Sequence, residues 1–280
     1  MTIRNAMTVD VEDYYQVAAF ANRIPRDTWH ARESRVERNV DEILRVFAEH
    51  RVHATFFTLG WLAERHPAMV RDIVAGGHEL ASHGYDHRRV TEHDPAGFRQ
   101  DVDRAKNVLE DTGGVQVTGY RAPNFSIGAE NLWALDVLCE AGFRYSSSIY
   151  PIVHDHYGMP EAPRFAFRAG RERRLLEVPA TTVSIWNRNL PAAGGGYFRL
   201  LPYAVSRWSM RRVNHDDGEP CVFYFHPWEI DPQQPRVTGV AWKSGFRHYL
   251  NLARMQPRIV RLLRDFRWDR MDRIFLEDAG

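Results

Sequence analysis

Four short clusters in the chain carry side chains able to do chemistry together. Asp10-Val11-Glu12-Asp13 packs three carboxylates into four residues, and their mutual repulsion would be relieved by a cation or a shared proton. Ser82-His83-Gly84-Tyr85-Asp86-His87 holds two histidines four apart; on one helical turn both imidazoles could face one ion, and imidazole binds zinc and similar divalent metals well. Arg121-Ala122-Pro123-Asn124 offers a guanidinium able to hold a carboxylate by a bidentate pair. His226 follows the apolar run Cys221–Phe225, where an imidazole is well placed for acid–base work. Singly, each has an ordinary explanation: a solvated turn, a chance pair among 13 histidines, a structural salt bridge, a capping histidine. Jointly they supply a metal site, a base, an arginine to orient it and a proton donor, the parts needed to hydrolyse an amide. His53, His66 and His93 read as ordinary surface or core residues.

To act together these clusters must be brought to one place, and the intervening pattern shows how. Residues 3–10 read as a strand, 35–50 as an amphipathic helix and 53–59 as a β-branched, aromatic strand. A helix opens at Pro67 and stops at Gly76-Gly77; a strand follows at 79–82, and a helix at 95–111 closes on Gly113-Gly114. A strand at 115–120 and a helix at 129–141 complete the alternation. Such a rhythm predicts a parallel sheet, open or closed into a barrel, with all four clusters just after strands. Beyond Tyr150 it breaks. Residues 150–174 read as an insertion, 175–183 as a strand and Gly194-Gly195-Gly196 as a flexible turn. Residues 203–213 look helical, 221–225 form a buried strand, 227–245 a long Pro-containing loop, and 246–265 a helical stretch before a short tail.

The 280 residues, 44% hydrophobic and 26% charged, suit one large globular domain. A net charge of +1 gives no polybasic field for nucleic acid or an anionic membrane. Cys139 and Cys221 cannot form a thiolate zinc cluster and read as two buried thiols. No stretch reaches the ~20 apolar residues of a membrane span, and with no apolar signal core at the N-terminus the expected location is the cytoplasm.

With these motifs the sequence resembles the polysaccharide deacetylases, the NodB-homology or chitin deacetylase family. Thr8–Asp13 (TVDVED), Ser82–His87 (SHGYDH), Arg121–Asn124 (RAPN) and Phe223–His226 (FYFH) match, in order, that family's acidic strand end, paired histidines, R-x-P and late strand ending in His. The segments DVEDYYQVAAF, YRAPNFSI, SSSIYP, EVPATT, FYFHPWEIDPQQPR and FRHYLNL are similar to the exosortase (PEP-CTERM)-associated subgroup, found in loci for exopolysaccharide synthesis. The resemblance implies an α/β fold, a distorted (β/α) barrel of about seven strands. It implies one domain over 1–280, with the insertion near 150–174 and a C-terminal helical extension near 246–280. It implies a divalent metal, with zinc the expected ion, and an N-acetylated oligo- or polysaccharide substrate from an exopolysaccharide or its precursor. By position Asp10 matches the general base, Arg121 the residue that holds it, and His226 the general acid. His83 and His87 match metal ligands, and the backbone N–H of Asn124 matches the oxyanion donor. The third ligand is open: strand alternation places Glu12 on the side of Asp10, whereas a turn would bring in Asp13, which ranks slightly first. The carboxylate tuning His226 is open among Asp231, Glu229 and Glu177, since Ser146, Ser147 and Ser148 occupy the region of the family's usual Asp. Two rival functions remain in view: hydrolysis of a non-polysaccharide amide or O-acetyl ester, and a non-catalytic glycan-binding scaffold.

Overall fold

The structure, a computed structural model, describes residues 3–154, 157–186, 188–192 and 194–276. Residues 155–156 of the expected insertion and 277–280 of the expected extension lie outside them. The strands are β1 (Arg4–Val11), β2 (Thr55–Thr58), β3 (Glu79–Ser82), β4 (Gly119–Tyr120), β5 (Tyr145–Ser146), β6 (Phe167–Ala169), β7 (Leu175–Glu177), β8 (Thr182–Ile185), β9 (Arg188–Pro191), β10 (Val222–Phe225) and β11 (Arg267–Asp269). Among them run α1 (Val36–His50), α2 (Gly60–Arg65), α3 (Pro67–Ala75), α4 (Pro95–Gly113), α5 (Trp133–Glu140), α6 (Gly195–Leu200), α7 (Tyr203–Arg212), α8 (Trp242–Tyr249), α9 (Leu252–Asp265) and α10 (Met271–Phe275).

Strands join in the order β10-β1-β2-β3-β4-β5-β7-β6, with β11 beside the start of β1; β8 and β9 form a separate hairpin. All pairings in the main sheet are parallel except β6 with β7. The expected distorted barrel is present as a curled, mixed half-barrel sheet, which among the described residues has nine strands against the expected seven or so, because the antiparallel β6 and the short β11 join it. Period-2 alternation decides what each strand gives to each side. On β1, Met7, Val9 and Val11 pack into the large core beneath the helices, while Ala6 joins a smaller inner cluster with Phe57, Ala81, Tyr145 and Val222. Thr8, Asp10 and Glu12 therefore share the concave face. Register then aligns the strand ends: Val9 lies opposite Phe225 and Ser82 opposite Tyr120, so Asp10 is level with His226, and His83 with Arg121.

Several local readings are corrected. Residues 83–87 form a bent loop with Gly84 at φ 75° and His87 at φ 58°, not a helical turn. Only Gly119–Tyr120 of the 115–120 segment pairs as a strand, and 175–183 divides between β7 and β8, which belong to different sheets. The glycine triplet starts α6 instead of forming a flexible turn. A Cβ on Gly194 would stand 2.7 Å from the Tyr224 ring, and one on Gly195 would stand 1.8 Å from Glu229 Oε2, so both glycines permit close approach. The end of the 227–245 loop is the start of α8, and the tail contains β11 and α10.

At the N-terminal end of the sheet, α10 closes the half-barrel. Glu79 is buried there, accepting from Thr55 Oγ1 at 2.6 Å, Tyr145 Oη at 2.9 Å and Asp272 N at 3.2 Å. Burial, aided by the Asp272 charge, pushes its carboxyl up to about 8 against the pull of these donors. Because the folded value is raised, the stability from protonated Glu79 is complete below its ordinary carboxylate range and is lost as pH rises through about 8. Thermal unfolding from about pH 5 to 8.5 should show a falling melting temperature in the native chain and a shallower fall in Glu79→Gln. Equal slopes would remove Glu79 as the cause.

Candidate metal and catalytic centre

The four clusters meet at the carboxyl ends of β1, β3, β4 and β10, where a parallel sheet leaves room for a site. At its base lies Arg121, whose side chain has no solvent exposure. Its Nη1 donates to Asp10 Oδ1 at 2.6 Å and to Thr8 Oγ1 at 2.8 Å; Nε and Nη2 donate to the carbonyl and hydroxyl of Ser147. The Phe57 ring lies 4.1 Å from the guanidinium carbon. A buried cation demands this many partners, since an unpaired one costs several kcal/mol. The pair fixes the direction in which Asp10 presents its carboxylate.

The main chain of the same residue orients His83. His83 Nδ1 lies 2.8 Å from the Arg121 carbonyl, which can only accept, so Nδ1 carries the proton and Nε2 keeps its lone pair. Among the described residues that buried Nε2 has no hydrogen-bond partner, a costly condition that a bound cation would relieve. Glu12 Oε1 is 3.5 Å from it, 3.1 Å from His87 Nε2 and 3.4 Å from His226 Nε2. Glu12, His83 and His87 form a buried cluster whose donor atoms lie within 4.8 Å of one another, a His-His-carboxylate set that suits a divalent metal. Burial works against ionisation of Glu12, but the charges of His87 and His226 hold its carboxyl well below the usual range. The left-handed backbone of His87, rare for a non-glycine residue, turns its ring back toward this cluster.

Asp13, ranked ahead of Glu12 as third ligand, is corrected here. Its carboxylate accepts from Tyr14 N, Ser34 Oγ, Arg35 N and Val36 N at 2.7–3.1 Å, capping the first turn of α1. An anion at a helix N-terminus is already well satisfied. Because β1 continues to Val11, alternation and not a turn governs, and Glu12 faces inward with Asp10.

The carboxylate beside His226 is Glu229. Its Oε2 accepts from His226 N at 3.0 Å and lies 3.1 Å from Nδ1, while Oε1 accepts from Arg199 Nε at 2.8 Å. Burial opposes its charge, but Arg199 and His226 hold Glu229 down to about 2. In turn, burial disfavours the imidazolium, yet Glu12 and Glu229 push His226 up to about 9. The other two candidates are engaged elsewhere: Asp231 pairs with Arg35 at 2.6 Å, and Glu177 accepts from the backbone of Ser148 and Ile149. Arg199 was not singled out from the sequence; it follows the close-packed glycines, the one local signal that could have pointed to it.

Two arms of a cleft open from this centre, both touching Val17. One, of about 450 Å³, is bordered by His87, Arg89, Trp29 and Asn124, the last with φ 56°. The other, of about 500 Å³, is lined by His226, Trp228, Tyr224, Tyr157 and Tyr197. Trp228, just after His226, stacks between His226 at 5.2 Å and His248 at 4.2 Å. Tyr150 is wholly buried and packs against Phe125 and Tyr157 as a core residue.

Comparison with known proteins accords with this construction. Residues 27–146 match the polysaccharide deacetylase family model, and residues 147–276 match a domain of unknown function, DUF3473. A chitooligosaccharide deacetylase of Sinorhizobium fredii is 40% identical over 98 residues, which are 35% of this chain and 43% of that protein. The chain thus spans less than half the length of that curated relative. A crystal structure described as a polysaccharide deacetylase from Mycobacterium smegmatis superposes with a TM-score of 0.54 at 23% identity, covering 93% of this chain and 91% of that one. A family 4 carbohydrate-esterase pseudoenzyme from Bacillus anthracis superposes with a TM-score of 0.51 at 12% identity, covering 98% and 65%. At these identities the superpositions establish the fold alone, and the fold is shared by an inactive protein. The first half of the chain is thus similar to the polysaccharide deacetylase family, and its second half to the DUF3473 domain.

Proposed function

We propose that this protein is a zinc-dependent deacetylase of the exosortase-associated subgroup, removing N-acetyl groups from amino sugars of an exopolysaccharide or its precursor. One observation carries the reading: the unpartnered Nε2 of His83 converges with His87 on Glu12, beside an arginine-held Asp10 and a Glu229-held His226. A divalent cation held by Glu12, His83 and His87 would polarise the acetyl carbonyl and make water acidic. Asp10, aimed by Arg121, takes the proton of the attacking water. The backbone N–H of Asn124 donates to the developing oxyanion. His226 gives its Nε2 proton to the departing amine, and Glu229, kept ionised by Arg199, favours the imidazolium needed for that step. The aromatic arm supplies faces for sugar rings.

Three outcomes test this. His83→Ala should lose bound zinc, measured by elemental analysis after dialysis, with the fold retained by circular dichroism; retention equal to that of the native chain would end the metal assignment. His226→Ala should release acetate from an N-acetylglucosamine oligomer about 10²–10⁴-fold more slowly. It should lose far less on an acetyl ester with an acidic leaving group, which needs no protonation. Equal losses on both would take the proton-donor role from His226. Glu229→Gln removes a negative charge that raises the His226 value, so the alkaline limb of kcat/KM should move to lower pH. An unmoved limb would reduce Glu229 to a structural residue.

A further inference from the structure

The aromatic arm of the cleft ends at α8, and α8 shows an unusual face. A helix packed on a domain normally buries its apolar side. Here the one buried residue is His248, while Trp242 is 74% and Phe246 54% exposed. Four apart, these two rings share one stripe, and Lys243 and Arg247, also four apart, form the adjacent one. Neither cation pairs with a carboxylate among the described residues. Leu200, 53% exposed at the end of α6, borders the same mouth with Ser244 and Arg247. The surrounding sequence is one-sided: residues 232–264 contain Arg236, Lys243, Arg247, Arg254, Arg258, Arg261 and Arg264 and no Asp or Glu, in a chain whose net charge is only +1.

We infer that this face of α8, with Leu200, rests on an anionic lipid surface. Trp and Phe beside Lys and Arg on a short helix is the composition of an interfacial anchor, with rings in the acyl boundary and cations among lipid phosphates. No helix among the described residues is long and apolar enough to cross a membrane, so the contact is peripheral. A glycan chain is the weaker occupant. Neutral sugar hydroxyls both donate and accept, and these stripes, made of Trp, Phe, Lys and Arg, offer them donors but no acceptor. Seated this way, the aromatic arm opens next to the bilayer and receives a glycan held there. That consequence rests on the deacetylase reading, whereas the lipid contact does not.

Cosedimentation of the full chain with vesicles tests it. Mixed phosphatidylglycerol–phosphatidylcholine vesicles should bind the protein, pure phosphatidylcholine should bind it much less, and about 0.5 M salt should release it. Trp242→Ser with Phe246→Ser should weaken binding about tenfold. Lys243→Gln and Arg247→Gln should each weaken it about fivefold. The aromatic variant should keep the native melting temperature and its acetate release from a free N-acetylglucosamine oligomer. Absence of binding to the anionic vesicles, or binding unaffected by the aromatic variant, overturns the proposal. So does release of the protein from vesicles by soluble alginate at an ionic strength that leaves the vesicle contact intact, which would make the face a glycan site. Vesicle binding with no acetate release from any oligomer would strike only the deacetylase reading.

Discussion

A guanidinium with no solvent contact must be neutralised where it stands, and Arg121 imposes that condition on much of the structure. Its side chain requires Thr8 and Asp10 on the concave face of β1, which sets the phase of that strand between β10 and β2. Its carbonyl selects the His83 tautomer that leaves Nε2 open. Base orientation and metal-facing geometry therefore share one origin. Ser147 completes the cage from both its carbonyl and its hydroxyl, and Ser148 Oγ accepts from Ala122 N. Ser147 and Ser148 are thus committed to holding the arginine loop.

Most chemistry-bearing residues were legible because they lie at or just after the ends of short apolar strands, and parallel strands deliver their ends to one edge. Asp10, His83, His87, Arg121 and His226 do converge. The choice between Glu12 and Asp13 turned on where β1 stops, and a strand boundary is a tertiary outcome. Its last residue is fixed by pairing with β2, while Asp13 is drawn away by an α1 N-terminus more than twenty residues on. Arg199 and Glu229 were harder still. Their pairing depends on two glycines whose lack of side chains reads as looseness until the neighbours are seen. The elements β11 and α10 went unread because three to five residues carry no periodicity.

The two family matches divide the chain between Ser146 and Ser147, yet the sheet runs across that point without a break. The first region provides Glu12's partners His83 and His87 and the arginine loop; the second provides β10, His226, Glu229 and Arg199. β1, which precedes both matched regions and leads into Glu12, joins them by pairing with β2 of the first and β10 of the second. Arg199 also donates to the carbonyls of His248 and Leu250, tying the acid arm to the junction of α8 and α9.

The pairing of β1 with both β10 and β11 sets an order of events during synthesis. Residues 4–9 meet partners more than two hundred positions away, so loop closure is slow and the border facing β10 stays open while the chain lengthens. At ~5–20 residues per second, the ribosome needs roughly ten seconds or more to deliver β10 after β1. Until then an apolar strand bearing Asp10 and Glu12 has an unpaired border, exposed to chaperones and to neighbouring nascent chains. Each molecule thus acquires its proton donor and its protection from aggregation in the same closing step.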